Sequence, residues 1–318
     1  MTEKHLVLAL SGGVGGAKLA LGLSRILPQG DLMVVANTGD DFEHLGLAIS
    51  PDLDTLVYTL GGLDNPATGW GRRDESWSFM AALAALGGET WFNLGDKDLA
   101  THIERTRRLR AGESLSRIMD DFRRRLGIAT RILPMSDDPV RTVIETAEGP
   151  LDFQDYFVRR RCAPPVRAIG FRGASEARPQ PDFLAALRGA ALRAVIICPS
   201  NPFISIEPIL ALPGVRTALR DCTAPVIAVA PIIGGQAIKG PTAKMMRELG
   251  IEPSAAAVAK RYGDLIDAYV VDHADVSSCG ALDCNVVPAK ALMESLADRD
   301  ALARDVLTAA ERLLEPAQ

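Results

Sequence analysis

Short continuous apolar runs alternate with segments whose apolar residues recur at helical spacing along most of this chain. Such runs predict buried strands, and the periodic segments between them predict helices that cover the strands. The runs lie at residues 6–10, 32–36, 90–94, 129–133, 194–198, 226–230 and 268–271. The helical segments lie at residues 17–26, 77–86, 115–126, 182–187, 206–210, 215–221, 243–249, 255–262 and 292–313. The alternation predicts an α/β protein with a doubly wound, mainly parallel sheet and helices on both faces.

The stretch from about 145 to 181 interrupts this alternation. It contains three consecutive arginines, Arg159 to Arg161, and the pair Pro164-Pro165, within short segments of mixed character. We expect a small inserted subdomain here, within one domain that spans residues 1–318. A chain of 318 residues that is 47% hydrophobic can bury a core of the required size.

Composition argues against several classes of function. The formal net charge of −5 disfavours nonspecific binding to nucleic acid, and no apolar run is long enough to span a bilayer. The first residues lack the pattern of a secretory signal. The five cysteines are scattered and have no histidine cluster beside them, which indicates a reduced thiol state and no zinc site. We therefore expect a cytoplasmic protein without a nucleic-acid or membrane partner.

The first predicted strand runs directly into a glycine-rich turn at residues 11–18, Ser-Gly-Gly-Val-Gly-Gly-Ala-Lys. Glycine lets the backbone approach an anion closely, and the N–H groups of the following helix point toward that anion. A phosphate site and a tight turn without a ligand are both compatible with the pattern. The candidate phosphate-binding residues are Gly12, Gly13, Gly15, Gly16 and Lys18.

Two common nucleotide motifs do not match this turn. Lys18 is not followed by Ser or Thr, as a Walker loop requires. The glycines are more crowded than in a dinucleotide fingerprint, and Asn37 closes the second strand where such a site has an acidic residue. The pattern therefore disfavours a nicotinamide oxidoreductase.

Aspartates follow the ends of several predicted strands, namely Asp40, Asp41, Asp52, Asp54, Asp96, Asp98, Asp137 and Asp138. Each one alone is typical of a turn or a helix cap. The carboxyl ends of parallel strands meet at one edge of the sheet, however, so these carboxylates would crowd one cleft and require a cation. Oxygen ligands beside a phosphate site predict Mg²⁺ and a phosphoryl-type transfer, with Lys18, Lys97 and Arg141 as further neutralising groups.

Other residues give weaker signals. His102 is a candidate general base or a packed helix residue. Trp70 lies in a polar stretch and is the tryptophan best placed to contact a ligand. The arginine-rich segment 105–110 is typical of a solvated helix face. Ser136 and Ser200 have no paired histidine in the sequence, which argues against a serine hydrolase triad.

Seven of these loops, taken together and in this order, resemble the 2-phospho-L-lactate transferases of coenzyme F-420 biosynthesis. The motifs are Gly-Gly-Val-Gly-Gly-Ala-Lys (12–18), Asn-Thr-Gly-Asp-Asp (37–41), Ser-Pro-Asp-Leu-Asp-Thr (50–55), Leu-Gly-Asp-Lys-Asp-Leu-Ala-Thr-His (94–102), Pro-Met-Ser-Asp-Asp-Pro (134–139), Pro-Ser-Asn-Pro (199–202) and Pro-Ile-Ile-Gly-Gly (231–235). The resemblance extends from the first strand to about residue 275. Segments 58–62 and 69–75 resemble the bacterial branch of that family.

The resemblance implies a Rossmann-like fold and a Mg²⁺-dependent reaction. A guanosine diphosphate-linked donor would give its phospho-three-carbon-acid moiety, of phospholactate, phosphoenolpyruvate or phosphoglycerate type, to the terminal hydroxyl of the deazaflavin Fo. The product that leaves would be GMP. A homodimer is compatible with this resemblance.

The resemblance also implies a nucleotide half of the site. The glycine-rich turn with Lys18 would hold the donor diphosphate. Asn37, Ser200 and Asn201 would help to place the nucleotide.

The acceptor half would be built from carboxylates and one lysine. Asp54 and Lys97 would approach Fo, and Asp40 and Asp54 would bind Mg²⁺. Asp54 first, or Asp41 second, would orient or deprotonate the Fo hydroxyl.

One alternative within the same superfamily remains. A remote branch, linked to morphogenesis or gluconeogenesis, binds a nucleotide sugar and has no transfer role. Such a regulatory protein need not keep Asp54 and Lys97, and the presence of both favours the transferase.

Overall fold

A parallel sheet of seven strands lies at the centre of the protein, for which the computed structural model describes residues 5–237 and 240–315. The strands are β1 (Leu6–Ser11), β2 (Leu32–Ala36), β3 (Phe42–His44), β4 (Leu47–Ile49), β5 (Arg131–Pro134), β6 (Arg141–Thr146), β7 (Gly149–Asp152), β8 (Ala168–Arg172), β9 (Leu192–Ile197), β10 (Val226–Val229), β11 (Ile232–Ile233), β12 (Gln236–Ala237), β13 (Ala268–Asp272) and β14 (Asn285–Ala289). The helices are α1 (Gly13–Ile26), α2 (Pro51–Leu60), α3 (Ser78–Ala85), α4 (Asp96–Arg110), α5 (Leu115–Arg125), α6 (Pro181–Arg188), α7 (Glu207–Leu210), α8 (Val215–Asp221), α9 (Thr242–Glu248), α10 (Ala255–Tyr262) and α11 (Leu296–Leu314). Among the described residues, none of these helices combines the length and the apolar character that crossing a membrane requires.

The order of the central strands reverses in the middle of the sheet. The order is β14-β13-β10-β9-β1-β2-β5, and every neighbouring pair is parallel. The chain thus builds the sheet from β1 toward β5, then returns to the other side of β1 and builds toward β14. A crevice forms at the carboxyl ends of β1 and β9, where ligands bind in sheets of this topology. The predicted Rossmann-like, doubly wound α/β fold is confirmed.

Both faces of the sheet are buried, as its continuous apolar strands predict. In β1, Val7 and Ala9 belong to the core that α1 and α11 cover. Leu8 and Leu10 belong to the opposite core, which includes Phe183 of α6. Because alternate residues of a strand point to opposite faces, one short apolar strand contributes to both cores.

The sequence pattern was wrong or incomplete at several places; for example, no predicted helical segment covers α4. Residues 90–94 do not form a strand; instead Leu94 packs with Ile49 and Met80 in a small separate cluster. The edge strand β14 escaped prediction because it is short and contains Pro288, which an edge strand tolerates. Another such place is α2, which follows Ser50 where turn residues predicted a loop.

Helix α2 forms because its turn-like residues are also good helix starters. Pro51 occupies the first turn, where its missing N–H costs nothing, and Asp52 and Asp54 favour the positive end of the helix dipole. Leu53 and Val57 then recur at helical spacing and are buried. The helix therefore carries two aspartates to the edge of the sheet in one rigid element.

The region predicted as an inserted subdomain contains a separate antiparallel sheet. Its strand order is β7-β6-β8, so it begins at Arg141. A π-helical turn, Asp155–Arg159, follows β7. The rings of Phe153 and Phe157 stack with their centroids 5.3 Å apart. This turn brings aromatic side chains over the carboxyl edge of the main sheet.

We expect Gly22→Ala to destabilise the fold. Helix α1 crosses α11 so closely that a Cβ at Gly22 would lie 2.7 Å from the carbonyl carbon of Arg299. Alanine is favoured over glycine inside a helix by about 0.5–1 kcal/mol, but overpacking costs about 1–3 kcal/mol. The free energy of unfolding, measured by denaturant titration, should fall by about 1–2 kcal/mol.

Gly170→Ala is the matched control, because an added Cβ there meets no atom within 4 Å. Its free energy of unfolding should equal that of the wild type or exceed it slightly. Equal stability of Gly22→Ala and the wild type would contradict the close contact between α1 and α11.

Candidate active site

A cavity of about 530 Å³ opens at the carboxyl edge of the sheet, beside the crevice between β1 and β9. This volume lies within the range of roughly 300–1,000 Å³ that is typical of small-molecule sites. Its wall combines the glycine-rich turn after β1, the loops after β2, β9 and β10, helices α2 and α4, and the aromatic turn after β7. Loops that are far apart in the sequence therefore share one chamber.

The glycines of the turn are required by close packing against neighbouring loops. A Cβ at Gly15 would overlap the carbonyl oxygen of Pro199, and one at Gly16 would lie 2.6 Å from Oγ of Ser200. A Cβ at Gly12 would lie 2.8 Å from Oδ2 of Asp52. These contacts bring the loops after β1 and β9 and the start of α2 together in the same corner.

Two amides of the turn already have acceptors within the protein. The N–H of Gly12 donates to Oγ of Ser200 at 3.1 Å, and the N–H of Gly13 donates to Oδ1 of Asp52 at 2.7 Å. The carboxylate of Asp52 thus lies at the amino end of α1, where an anion is favoured. Val14 and Gly15 line the cavity beside it. A phosphate would therefore meet this part of the turn rather than the first two glycines.

Asn37 lies behind the cavity wall and connects the loops that form it. Its Nδ2 donates to Oδ2 of Asp52 at 2.9 Å and to the carbonyl of Ile204 at 3.2 Å. Its Oδ1 accepts from the N–H of Gly39 at 2.8 Å. The polar atoms of the Asn37 side chain are thus used in protein contacts.

Four aspartates are buried around the cavity. Asp40, Asp52 and Asp54 line it, whereas Asp41 lies behind them and accepts a hydrogen bond from Ser50 at 2.8 Å. Burial raises the pKa of Asp41 to about 7 and that of Asp52 to about 6. Burial and the neighbouring Asp52 raise the pKa of Asp40 well above its usual range. The geometry therefore crowds four carboxyl groups into one buried region, where desolvation disfavours their charged forms.

Arg105 is a buried cation in this region. Its side chain is 0% exposed and forms an ion pair with Oδ1 of Asp54. Burial raises the pKa of Asp54, and Arg105 opposes that rise. The prediction of a solvated face for segment 105–110 was therefore wrong for Arg105 and Arg108, which are buried, although Arg107 is 65% exposed.

A histidine lies between two of the carboxylates that line the cavity. Nδ1 of His102 is 3.7 Å from Oδ2 of Asp54, and its Nε2 is 3.4 Å from Oδ1 of Asp98. Tyr58, which the sequence reasoning missed, donates its hydroxyl proton to Asp98, and its hydroxyl oxygen lies 2.9 Å from Oγ1 of Thr101. Helical spacing in α2 could have indicated it, because Tyr58 lies four residues after Asp54 on the same face.

The remaining predicted residues divide between the cavity wall and the outer surface. Lys18 lines the cavity, where its Nζ donates to the carbonyl of Met293 at 2.7 Å. Ser200 and Asn201 also line it. Lys97 is exposed at the start of α4 and is not part of the described wall.

Aromatic side chains form the outer part of the wall. Trp70, Phe92, Phe153 and Phe157 line the cavity, and Trp70 is 49% exposed. Trp77 is similarly exposed, at 45%, but is not part of the wall. The chamber is thus polar and acidic near the sheet and aromatic toward solvent, which suits a ligand with a charged end and a flat ring.

Oxygen ligands for a metal ion are present in the inner part. Oδ1 of Asp40 and Oδ2 of Asp54 are buried and have no hydrogen-bond partner among the described residues. Unpaired buried carboxylate oxygens fit a hard divalent cation such as Mg²⁺. The predicted metal-binding pair is therefore chemically suited to such an ion.

Comparisons with known proteins agree with this architecture. The family model described as 2-phospho-L-lactate transferase CofD matches residues 7–303. A phosphoenolpyruvate transferase of Streptomyces coelicolor is 40% identical over 318 residues, which cover 97% of this chain and 99% of the relative. A 2-phospho-L-lactate transferase of Methanosarcina mazei is 41% identical over 306 residues, with 95% and 100% covered.

A solved structure supports the fold independently. A member of the UPF0052 family from Bacillus halodurans superimposes with a TM-score of 0.67 at 14% identity, and the match covers 96% of this chain and 99% of that one. At this identity the likeness concerns the fold alone. The family match over most of the chain, together with relatives of 40% identity, shows that the protein belongs to the 2-phospho-L-lactate transferase family.

Proposed function

We propose that the protein transfers a phospho-three-carbon-acid moiety from a guanosine diphosphate-linked donor to the terminal hydroxyl of the deazaflavin Fo, in coenzyme F-420 biosynthesis. The oxygen of that hydroxyl attacks the phosphorus that carries the acid. A new P–O bond forms to Fo, the bond to the GMP phosphate breaks, and GMP leaves. The hydroxyl proton passes to a carboxylate of the protein.

One observation carries this proposal: a single cavity has the glycine-rich turn on one wall, buried carboxylates on another and aromatic rings at its mouth. The glycine-rich turn suits a nucleoside diphosphate, and the buried carboxylates suit the activation of a hydroxyl. The aromatic rings suit a flat deazaflavin ring. The site fits a transfer in which positioning and charge neutralisation supply most of the catalysis.

Asp54 is the carboxylate that the proposal assigns to the Fo hydroxyl. It lines the cavity, and its Oδ2 has no hydrogen-bond partner among the described residues. Asp41, the second candidate, lies behind the wall and is bonded to Ser50. Asp54 is therefore better placed to contact a substrate. Lys97 lies outside the wall and receives no role in this step.

Asp40 and Asp54 would hold the Mg²⁺ that the proposal includes. When bound, the ion would neutralise charge on the donor diphosphate. The protein's own contribution is to keep these carboxylates buried and fixed on rigid elements. Asp54 is held by Arg105, and the segment of Asp40 is held by Gln154, whose Nε2 donates to the Asp40 carbonyl at 3.3 Å.

The donor acid remains one of three types. The names of the relatives include phosphoenolpyruvate and 2-phospho-L-lactate transferases, at 40% and 41% identity to this chain. Identity therefore does not select between them, and the phosphoglycerate type is the third candidate. The acids differ by a few atoms only.

The direct test is to incubate purified protein with Fo, Mg²⁺ and each guanylyl donor, and to analyse the products by mass spectrometry. We expect Fo to gain the phospho-acid moiety with at least one donor, and GMP to appear in equal amount. Absence of an adduct with every donor would reject the transferase and favour the nucleotide-sugar-binding alternative.

Asp54→Asn should reduce turnover by orders of magnitude, because it removes the proton-accepting oxygen and a metal ligand. Circular dichroism should show that the variant remains folded. Asp182→Asn is the matched control, since Asp182 pairs with Arg131 at the surface, and its turnover should equal that of the wild type. Near-normal turnover of Asp54→Asn would reject the assignment.

Binding of Fo without a donor should quench tryptophan fluorescence, because Trp70 lines the cavity mouth. Trp70→Phe should lose most of this quenching and bind Fo more weakly. Trp77→Phe should keep it, since Trp77 is equally exposed but is not part of the wall. Equal quenching in both variants would contradict placement of the deazaflavin ring beside Trp70.

A further inference from the structure

Three potential metal ligands from two helices converge on the inner part of the cavity. Asp98 and His102 lie one turn apart on α4, and Asp54 faces them from α2. One ligand atom from each lies within 4.8 Å of the others. Within residues 5–237 and 240–315, no second group of three or more histidine, cysteine or acidic side chains has ligand atoms this close together.

Oδ2 of Asp54 is buried without a hydrogen-bond partner among the described residues, in a residue that is 5% exposed. Nε2 of His102, in a residue that is 2% exposed, has Oδ1 of Asp98 at 3.4 Å as an ion-pair contact but makes no hydrogen bond among the described residues. Leaving a buried polar atom unpaired is unfavourable, because the atom has lost its hydrogen bonds to water. Both residues line the cavity, so a cation could reach them from solvent. These atoms are a second indication of a ligand, independent of the clustering of acidic groups.

We propose that Asp54, Asp98 and His102 form a cation site that takes a divalent first-row transition metal, for which Mn²⁺ serves as the spectroscopic probe. The donor set differs from the pair Asp40 and Asp54, because it includes an imidazole nitrogen. Imidazole is a good ligand for first-row transition metals, whereas Mg²⁺ prefers oxygen ligands and water. The site goes beyond the proposed reaction, since a cation can bind there whatever the substrate is.

The spacing of the donor atoms suits one shared ion. Ion-to-ligand distances of about 2.0–2.2 Å place two ligands of one ion up to about 4.3 Å apart. The observed limit of 4.8 Å therefore requires only a small inward movement of the side chains. Tyr58 holds Asp98 through its hydroxyl, as outer-shell partners hold ligating carboxylates.

The electrostatics of the region also accommodate a further cation. Arg105 forms an ion pair with Oδ1 of Asp54, and Oδ2 of the same carboxylate faces the imidazole of His102. Asp40 and Asp41 are buried in the same region, and Arg105 forms its ion pair with Asp54 rather than with either of them. Asp54 belongs to both donor sets, and an ion at the imidazole would compete with Mg²⁺ for its Oδ2.

The test is pulsed electron paramagnetic resonance of Mn²⁺ added to the full-length protein after treatment with a chelator. No Fo or guanylyl donor is present, so the outcome is separate from that of the transfer assay. We expect the spectrum to show coupling between Mn²⁺ and one imidazole nitrogen. Part of this coupling signal should remain when Mg²⁺ is added in excess. Absence of nitrogen coupling in the wild type would overturn the proposal without any variant.

Histidine variants identify the residue whose nitrogen binds the ion. His102→Gln should lose the coupling and bind Mn²⁺ at least about tenfold more weakly. His273→Gln is the matched control, because His273 is exposed, and it should keep both coupling and affinity. Asp40→Asn should also keep the coupling. Unchanged coupling in a folded His102→Gln would show that another nitrogen binds the ion and would overturn the assignment.

Discussion

The burial of four carboxyl groups around one cavity is the constraint on which the rest of this site depends. The carboxylates of Asp40, Asp41, Asp52 and Asp54 are more than nine-tenths buried around one cavity, and Arg105 pairs with only one of them. Backbone and side-chain donors partly compensate, but desolvation still disfavours the charged forms. Such an arrangement costs stability, and at the carboxyl edge of an α/β sheet it is typical of a site for cations and for ligands that bring them.

Much of this arrangement could be predicted, because parallel topology is visible in the sequence. Apolar runs separated by helices imply that the strands end at one edge, where aspartates that follow several strands are expected to approach one another. Asp40, Asp52, Asp54 and Asp98 do line one cavity, whereas Asp96, Asp137 and Asp138 do not. The detailed pairing could not be predicted in the same way. The hydrogen bond from Gly13 to Asp52 joins residues 39 positions apart. The spacing of neighbouring residues in the sequence cannot predict such a contact. Because residues 50–52 are also typical of a turn, the sequence did not indicate that Asp52 lies in the first turn of a helix.

The helical phase of α4 explains most of the remaining differences between the predicted and the observed exposure of side chains. Arg105 and Arg108 lie three residues apart on one face of α4 and are buried, whereas Arg107 faces solvent. Arginine is seldom fully buried unless it is paired, and the partner of Arg105 is Asp54, 51 positions earlier. Composition alone therefore predicted a solvated face. Lys97, in the first turn of the same helix, is exposed, and its contact with Fo, which a family motif implies, stays a prediction.

The interlocked glycine-rich turn has a consequence for the thermodynamics of binding. Gly12, Gly15 and Gly16 are held against neighbouring loops by protein contacts alone, so the turn has little conformational freedom to lose. Fixing one flexible residue costs about 1–2 kcal/mol of conformational entropy, and a preordered turn avoids most of that loss when it accepts an anion. We therefore expect association with phosphate groups to proceed without a slow ordering step of this turn. Any entropic penalty would fall instead on the exposed segment around Trp70.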